Sequence, residues 1–262
     1  MQQLSQLLKQ PNPPLNNVRL PNASTRPVLQ NSNGADPNCT ACGGLGVYSL
    51  NVPLGEPRYG KLFDCECTSA YRATRLQQIS GLNADEQHVT LGDVIESGPD
   101  TAAMLAAARS FVAQPTGILT LWGGPGNAKS LVLQGVVNEC IQHNVMAVYV
   151  TCLDLLDYIR EAFNDKQDGR YESAWKRMER FANVQVLCID EVDKVKASEW
   201  AIERETAIFD KRYRLGLARQ SGTVLAMNAN PDRLPEWIFS RLSDGRNRII
   251  ENHDPDMRRL MR

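Results

Sequence analysis

The chain has 262 residues, of which 42% are hydrophobic and 23% are charged, and its formal net charge is −1. This composition is typical of a globular protein and excludes a globally basic nucleic-acid-binding protein, although a local basic surface stays open. No apolar run approaches the roughly 18 residues of a membrane helix, and the first residues lack the apolar core of a secretion signal. We therefore expect a cytoplasmic protein without a membrane partner.

Residues 1–36 are rich in Pro, Asn and Ser and are expected to form a flexible segment that buries no core. Leu4, Leu7 and Leu8 are spaced for one face of a short helix. This helix is either a frayed tail or a docking segment that becomes ordered on a partner.

Residues 37–75 are expected to form a small metal-binding module, because four of the seven cysteines fall there. These cysteines are Cys39, Cys42, Cys65 and Cys67. Strands over Val47–Leu50 and Arg58–Phe63 would bring the two pairs together across a hairpin, and four thiolates suit a tetrahedral, structural Zn²⁺ site. Unpaired reduced thiols and a redox pair are the alternatives. Zinc is favoured because so short and polar a segment needs a staple to fold.

Residues 76–262 are expected to form the main domain, in which strands and helices alternate. Strands are predicted at 117–123, 145–151, 184–191, 223–228 and 247–250, and helices at 129–144, 153–163 and 197–215. This alternation predicts an α/β fold with a parallel sheet flanked by helices. Cys140, Cys152 and Cys188 lie on these apolar elements and are expected in the core. On the helix over 129–144, Leu131, Val132, Val136 and Cys140 should lie roughly on one side.

The segment LWGGPGNAKS, residues 121–130, resembles a phosphate-binding loop between a strand and a helix. The predicted nucleotide-binding residues are Gly123, Gly124, Pro125, Gly126, Asn127, Ala128, Lys129, Ser130 and Leu131. Backbone N–H groups of 124–130 would wrap the β-phosphate of ATP. Lys129 would span the β- and γ-phosphates, and the Ser130 hydroxyl would bind Mg²⁺.

Ala128 stands where the usual pattern has glycine. We expect this residue to begin the helix with a negative φ, which alanine tolerates well. Gly123 and Gly126 are expected to need unusual backbone angles or close approach to phosphate. The loop should therefore still bind nucleotide.

The strand VLCIDE places a carboxylate pair at the edge of the sheet about sixty residues after the loop. Asp190 is expected to organise Mg²⁺ together with Ser130, and Glu191 to orient or deprotonate the attacking water. An acidic pair at a strand end is weak evidence alone. Together with the loop, it predicts an ATPase.

These motifs resemble those of the AAA+ ATPases, and among them the bacterial and phage helicase loaders of the DnaC/DnaI type and the transposition helper IstB. The resemblance covers roughly residues 85–262. It implies a sensor asparagine at Asn228, with Asn230 as second choice, and an arginine finger at Arg241 that completes a neighbouring subunit's site. It also implies a γ-phosphate sensor at Arg258, with Arg259 as the competitor.

The sequence departs from the common loader pattern in the residue before the lysine, where loaders more often have glycine. It ends about twenty residues after Arg241, so we expect no helical lid, as in the loaders and IstB. The four-cysteine segment is common in DnaC-like proteins, whereas IstB typically lacks it.

The resemblance implies an ATP-dependent loader that self-associates through its ATP site and delivers a hexameric replicative helicase onto single-stranded DNA. Candidate DNA contacts are Phe163, Lys194 and Lys196, although Phe163 fits a core position equally well and the lysines fit solvated positions. Residues 170–181 interleave basic and aromatic residues, a pattern more typical of a packed helix with a solvated face.

Two other functions stay open at this point. One is a transposase helper ATPase that acts on duplex DNA. The other is a nucleotide-binding switch without turnover, against which Glu191 argues, because a switch needs no carboxylate to polarise water.

Overall fold

The structure is a computed structural model that describes residues 18–19, 35–162, 173–195 and 198–257. The chain divides into two compact units between Arg75 and Leu76. Within the described ranges, no helix combines the length and apolar character needed to cross a membrane.

The first unit is built on a small antiparallel sheet. Its strands are β1 (Val18–Arg19), β2 (Val47–Leu50) and β3 (Leu62–Asp64), and helix α1 (Glu66–Gln78) starts in this unit directly after Cys65. The third strand is shorter than the expected Arg58–Phe63 and begins four residues later. Turns occupy the residues before it, where Pro57 provides no backbone donor and Gly60 has a φ of 72°.

The second unit contains a five-stranded sheet in which every strand pair is parallel. Its strands are β4 (Gly117–Gly123), β5 (Ala147–Thr151), β6 (Val186–Asp190), β7 (Gly222–Met227) and β8 (Arg248–Asn252). The spatial order is β5-β6-β7-β4-β8. All five expected strands are present, and the predicted α/β fold is confirmed.

Helices flank this sheet. They are α2 (Pro99–Ala113), α3 (Lys129–Gln142), α4 (Cys152–Glu161), α5 (Ala174–Asn183), α6 (Glu199–Leu217) and α7 (Glu236–Leu242). Side-chain oxygens of Thr151, Ser173 and Ser198 cap α4, α5 and α6 by accepting backbone N–H groups of their first turns. Helix α2 was not predicted, because its alanine-rich sequence shows little amphipathic periodicity.

Helices α4 to α7 pack against β4, β6 and β7 in one apolar cluster that includes Ile159, Leu187 and Phe209. Helix α3 contacts β5, β6 and β7, and α2 contacts β4 and β8. Cys140, Cys152 and Cys188 are each at most 1% exposed, which confirms that they are core residues.

Arg212 is a cation buried within this unit, with 1% of its surface exposed. Its guanidinium donates to Thr223 Oγ1 at 2.9 Å and to the carbonyl oxygens of Val184 and Gly222. These bonds tie α6 to the starts of β6 and β7. Burial lowers the pKa of Arg212 to about 10.

The strand order decides which groups meet at the edge of the sheet. Strand β7 lies between β4, which leads into the loop, and β6, which carries the acidic pair. The carboxyl ends of parallel strands face the same edge, so residues after β4, β6 and β7 converge there.

Candidate functional site

The loop after β4 is a tight turn that depends on two glycines. Gly123 and Gly126 have φ values of 139° and 79°. A Cβ at Gly123 would collide with the carbonyl oxygen of Asn252, and one at Gly126 with the Asp256 carboxylate. The expectation that these two glycines need unusual backbone angles is confirmed.

Ala128 contradicts the sequence-based expectation. It has φ 64° and ψ 11°, in the left-handed region, and not the negative φ expected of a helix-starting residue. Ala128 is the last residue of the loop with a left-handed backbone conformation, and the helix starts at Lys129. A left-handed conformation costs a residue with a Cβ roughly 1–2 kcal/mol. The extra methyl group is therefore accommodated with backbone strain.

Lys129 is held inside the loop. Its Nζ donates to the carbonyl oxygens of Gly123 and Gly124 and to Asn127 Oδ1, each at 2.8 Å. Burial lowers the pKa of Lys129 to about 8, and the negative charges of Asp190 and Asp193 partly oppose this effect. The ammonium therefore has carbonyl partners that phosphate oxygens could replace.

Leu131 does not lie on the same side of α3 as Val132, Val136 and Cys140, so this part of the prediction is wrong. Val132, Val136 and Cys140 are buried, whereas Leu131 is 37% exposed. It follows the loop within the first turn of α3, where the side chain lines a cavity and does not contribute to the core.

The acidic pair stands at the end of β6. Asp190 is 5% exposed and accepts a hydrogen bond from the Tyr149 hydroxyl at 2.9 Å. Its second oxygen accepts the backbone N–H of Glu191 at 2.8 Å. Glu191 itself has φ 56° and ψ 38°, and its carboxylate pairs with Lys194. Burial and the nearby Asp190 raise the pKa of Tyr149, so this hydroxyl stays a donor.

A cavity of about 290 Å³ joins the loop to the acidic pair. Its lining includes Pro125 through Leu131 from the loop, Asp190, Glu191, Asp193 and Lys194 from the acidic turn, Met227 and Asn228 after β7, and Met257. The structure therefore brings together Lys129, Ser130, Asp190, Glu191 and Asn228, as the sequence analysis expected. Their individual roles stay predictions.

Asn228 is better placed than Asn230 for a role at this cavity. Asn230 caps the short turn Pro231–Arg233, where its Oδ1 accepts the backbone N–H of Asp232 at 3.1 Å.

Asp193 was missed by the sequence analysis. Its position three residues after Asp190 was the available signal.

Arg241 lies on α7 and is not among the residues that line the cavity. Its guanidinium pairs with Asp210, donates to the Trp237 carbonyl oxygen at 2.6 Å and lies 5.8 Å from the Tyr213 ring centroid. In this arrangement its own chain holds the arginine.

The remaining predictions concern the proposed nucleic-acid contacts, the γ-phosphate sensor and the N-terminal helix. Lys194 lines this cavity and pairs with Glu191. Helix α5 is a packed helix with a solvated face, as expected, since Met178 is buried and Trp175 is 60% exposed. The predicted residues Phe163, Lys196, Arg258 and Arg259, and the helix over Leu4 to Leu8, lie outside the described residues.

The four cysteines of the first unit converge as predicted. The Sγ atoms of Cys39, Cys42, Cys65 and Cys67 all lie within 4.8 Å of one another. The Sγ atoms of Cys39 and Cys65 are 3.8 Å apart, and those of Cys42 and Cys67 are 3.5 Å apart. Metal–sulfur bonds of about 2.3 Å at tetrahedral angles place sulfurs about 3.8 Å apart. The cluster therefore fits one tetrahedral metal ion.

The local backbone supports this cluster. Gly46 donates its N–H to Cys42 Sγ at 3.3 Å, and backbone N–H groups of Cys42 and Ala41 contribute to lowering the pKa of Cys39 to about 7. Cys42 and Cys65 are themselves much of the small core, beside Tyr48 and Leu50. A core so poor in apolar groups depends on a cross-link.

A protein-family model matches the part of the chain that carries this site. Residues 119–245 match the model of the ATPase family associated with various cellular activities (AAA). No curated protein sequence matches the chain.

Solved structures share the fold at low sequence identity. The replication initiator DnaA bound to AMPPCP and single-stranded DNA is 17% identical, with a TM-score of 0.53 over 65% of this chain and 50% of that one. The DnaC helicase loader is 17% identical, with a TM-score of 0.54 over 64% of this chain and 99% of that one. DnaI is 19% identical, with a TM-score of 0.51 over 70% of this chain and 98% of that one.

The match thus spans about half the length of DnaA and nearly all of the DnaC and DnaI structures. The loop, the acidic pair and strands β5, β6 and β7 fall within the segment that the family model matches, whereas β8 lies beyond it. The segment that carries the loop and the acidic pair therefore resembles the AAA ATPase family, and the chain shares its fold with solved replication initiators and helicase loaders.

Proposed function

We propose that this protein is an ATP-dependent helicase loader, which binds a hexameric replicative helicase and delivers it onto single-stranded DNA. The observation that carries the proposal is the single cavity that joins Lys129, the acidic pair and Asn228. The match to nearly the full length of DnaC and DnaI supports a loader, and the DnaA complex supports a single-stranded DNA partner.

In the proposed reaction, Lys129 breaks its hydrogen bonds to the loop carbonyl oxygens and contacts the β- and γ-phosphates of ATP. Glu191 accepts a proton from a water molecule whose oxygen attacks the γ-phosphorus, the bond to the β–γ bridging oxygen breaks, and ADP leaves. Asn228 orients the γ-phosphate or the water. Ser130 and Asp190 would hold Mg²⁺, which neutralises phosphate charge when bound.

Arg258 is proposed to sense the γ-phosphate. Met257, the residue before it, lines the cavity and donates its N–H to the Gly126 carbonyl oxygen at 3.0 Å. The chain therefore reaches the phosphate-binding loop immediately before this arginine.

Arg241 is proposed to complete the ATP site of a neighbouring protomer, after leaving Asp210. Mixing two inactive variants tests this assignment. Glu191→Gln protomers retain the arginine and Arg241→Ala protomers retain the carboxylate, so mixed assemblies regain complete sites at some interfaces. Recovered ATPase activity in the mixture supports action between protomers, and a mixture as inactive as its parts contradicts it.

The ATPase assignment is tested with Glu191→Gln, which should lower kcat at least about a hundredfold while ATP still binds. Glu96→Gln, at an exposed position, is the matched control and should hydrolyse ATP normally. Unchanged turnover in Glu191→Gln would favour the nucleotide switch.

The loader assignment is tested by capture of a purified replicative helicase with and without ATP, and by binding to single- and double-stranded DNA at one stated salt concentration. We expect helicase capture and a preference for single strands. Lack of capture combined with a duplex preference would instead support the transposase helper.

The four-thiolate cluster is proposed to hold a structural Zn²⁺. Four cysteine sulfurs at tetrahedral spacing are the donor set that zinc favours, and they leave no coordination position for a substrate. The metal would stabilise the first unit, whose core contains few apolar side chains.

A further inference from the structure

The short turn Val192–Lys194 links the acidic pair to the residues that follow β7. One oxygen of Asp193, Oδ2, accepts the backbone N–H groups of Asn228 at 3.1 Å and Ala229 at 2.8 Å. Both donors belong to the segment that carries the proposed sensor. A single carboxylate oxygen thus holds two successive amides of this segment.

These bonds begin where the sheet ends. The pairing between β6 and β7 stops at Ile189 and Leu225, and β7 itself ends at Met227. The amides of Asn228 and Ala229 therefore lie beyond the strand pairing, and Asp193 provides their acceptor. Hydrogen bonds to an ionised carboxylate are shorter and stronger than those between neutral groups.

Asp193 also faces the nucleotide cavity. It lines the cavity together with Asp190 and Glu191, and its charge acts on the Lys129 ammonium. Its second oxygen, Oδ1, is buried and accepts no hydrogen bond from the described residues.

We propose that Asp193 is a positioning residue for ATP hydrolysis, which fixes the backbone of Asn228 relative to Glu191 across the cavity. The acidic turn and the sensor segment then move as one unit when nucleotide binds. This inference rests on the proposed roles of Asn228 and Glu191. Rigid placement of reacting groups matters because displacements of about 1 Å can cost a hundredfold in rate.

The test compares Asp193→Ala and Asp193→Asn with the full-length protein. Asp193→Ala removes the acceptor and should lower kcat about tenfold to a hundredfold, while the Kd of ATP changes less than about threefold. Asp193→Asn keeps a carbonyl oxygen and should recover much of the lost kcat. Asp232→Ala, at an exposed acidic position in the following turn, is the matched control and should behave as the native protein.

Three results separate the explanations. If the native protein binds ATP but does not hydrolyse it, the proposed function fails before Asp193 is judged. If the native protein hydrolyses ATP and Asp193→Ala keeps its kcat, the positioning role is refuted. Equal losses in both variants would overturn it too, because they would indicate that charge matters and the hydrogen bonds do not.

A measurement on the native chain covers the case in which Asp193→Ala does not fold. Hydrogen exchange at the amides of Asn228 and Ala229 should be slow, although both lie beyond the end of β7. Fast exchange at both amides would overturn the proposal, because Asp193 would then not hold them.

Discussion

Replacing Ala128 with glycine should stabilise the nucleotide-binding unit, because this residue has φ 64° and ψ 11°. Glycine has no Cβ and adopts this conformation freely, so the substitution removes roughly 1–2 kcal/mol of strain from the folded state. Glycine also loses more conformational entropy on folding than alanine, which lowers the free energy of unfolding by roughly 0.5–1 kcal/mol. The net gain is about 0.5–1 kcal/mol, or about 1–4 °C in Tm for a domain of this size class.

The assay is thermal unfolding followed by circular dichroism, with ATP binding measured by calorimetry. Ala106→Gly is the matched control, because Ala106 is exposed within helix α2. Glycine there should destabilise the protein by about 1 kcal/mol, so the two substitutions have opposite signs. A Tm for Ala128→Gly at or below that of the native protein would refute the argument from backbone strain.

Three more predictions follow from the site and the core. Cys42→Ser should lose the proposed metal ion and the fold of the first unit, as measured by metal content and proteolysis, whereas Cys140→Ala should have the same metal content as the native protein. Arg212→Met should cost about 3 kcal/mol in urea unfolding, because it leaves buried carbonyls without a donor, whereas Arg214→Met at an exposed position should cost less than about 0.5 kcal/mol. A small loss at Arg212 would show that water or rearrangement satisfies those carbonyls. The pKa of Lys129 is lowered to about 8 and phosphate stabilises the ammonium, so ATP affinity should be constant below pH 8 and fall as pH rises above it. Lys129→Arg should remove this pH dependence, since arginine stays charged, and an unchanged profile would assign it to another group.

The arrangement around Arg241 bears on how assembly and hydrolysis could be coupled. In the structure the guanidinium pairs with Asp210 and lies 5.8 Å from the ring centroid of Tyr213 and 5.6 Å from that of Trp237. An arginine that acts on a neighbour must exchange this carboxylate for phosphate oxygens. The Arg241 and Asp210 side chains are 30% and 32% exposed, so this exchange would break a partly buried ion pair.

Much of the architecture could be predicted from local sequence. Four of the five strands of the main sheet were identifiable as short apolar runs, because buried parallel strands have few polar residues, whereas the edge strand β8 has only Ile249 and Ile250 as apolar residues. The four thiolate ligands were identifiable by spacing, and the loop by its glycines next to a lysine. In each case the signal is a contiguous stretch whose chemistry suits a single structural context.

Other features depended on contacts between distant parts of the chain. The left-handed backbone at Ala128 arises from how the loop joins β4 to α3, and residue preference alone favoured the wrong conformation. The hydrogen bond from the Asn228 backbone N–H to Asp193 joins residues 35 positions apart, and it forms because β7 lies beside β6. The exposure of Leu131 and the pairing of Arg241 with Asp210 are likewise set by packing.

The sequence by itself thus determined which elements form and which chemical groups are available, since propensity and spacing act over a few residues. Only the tertiary structure decided strand order, backbone strain and the partners of charged groups. These depend on which distant segments are brought within hydrogen-bonding distance, and a one-dimensional pattern does not encode that distance directly.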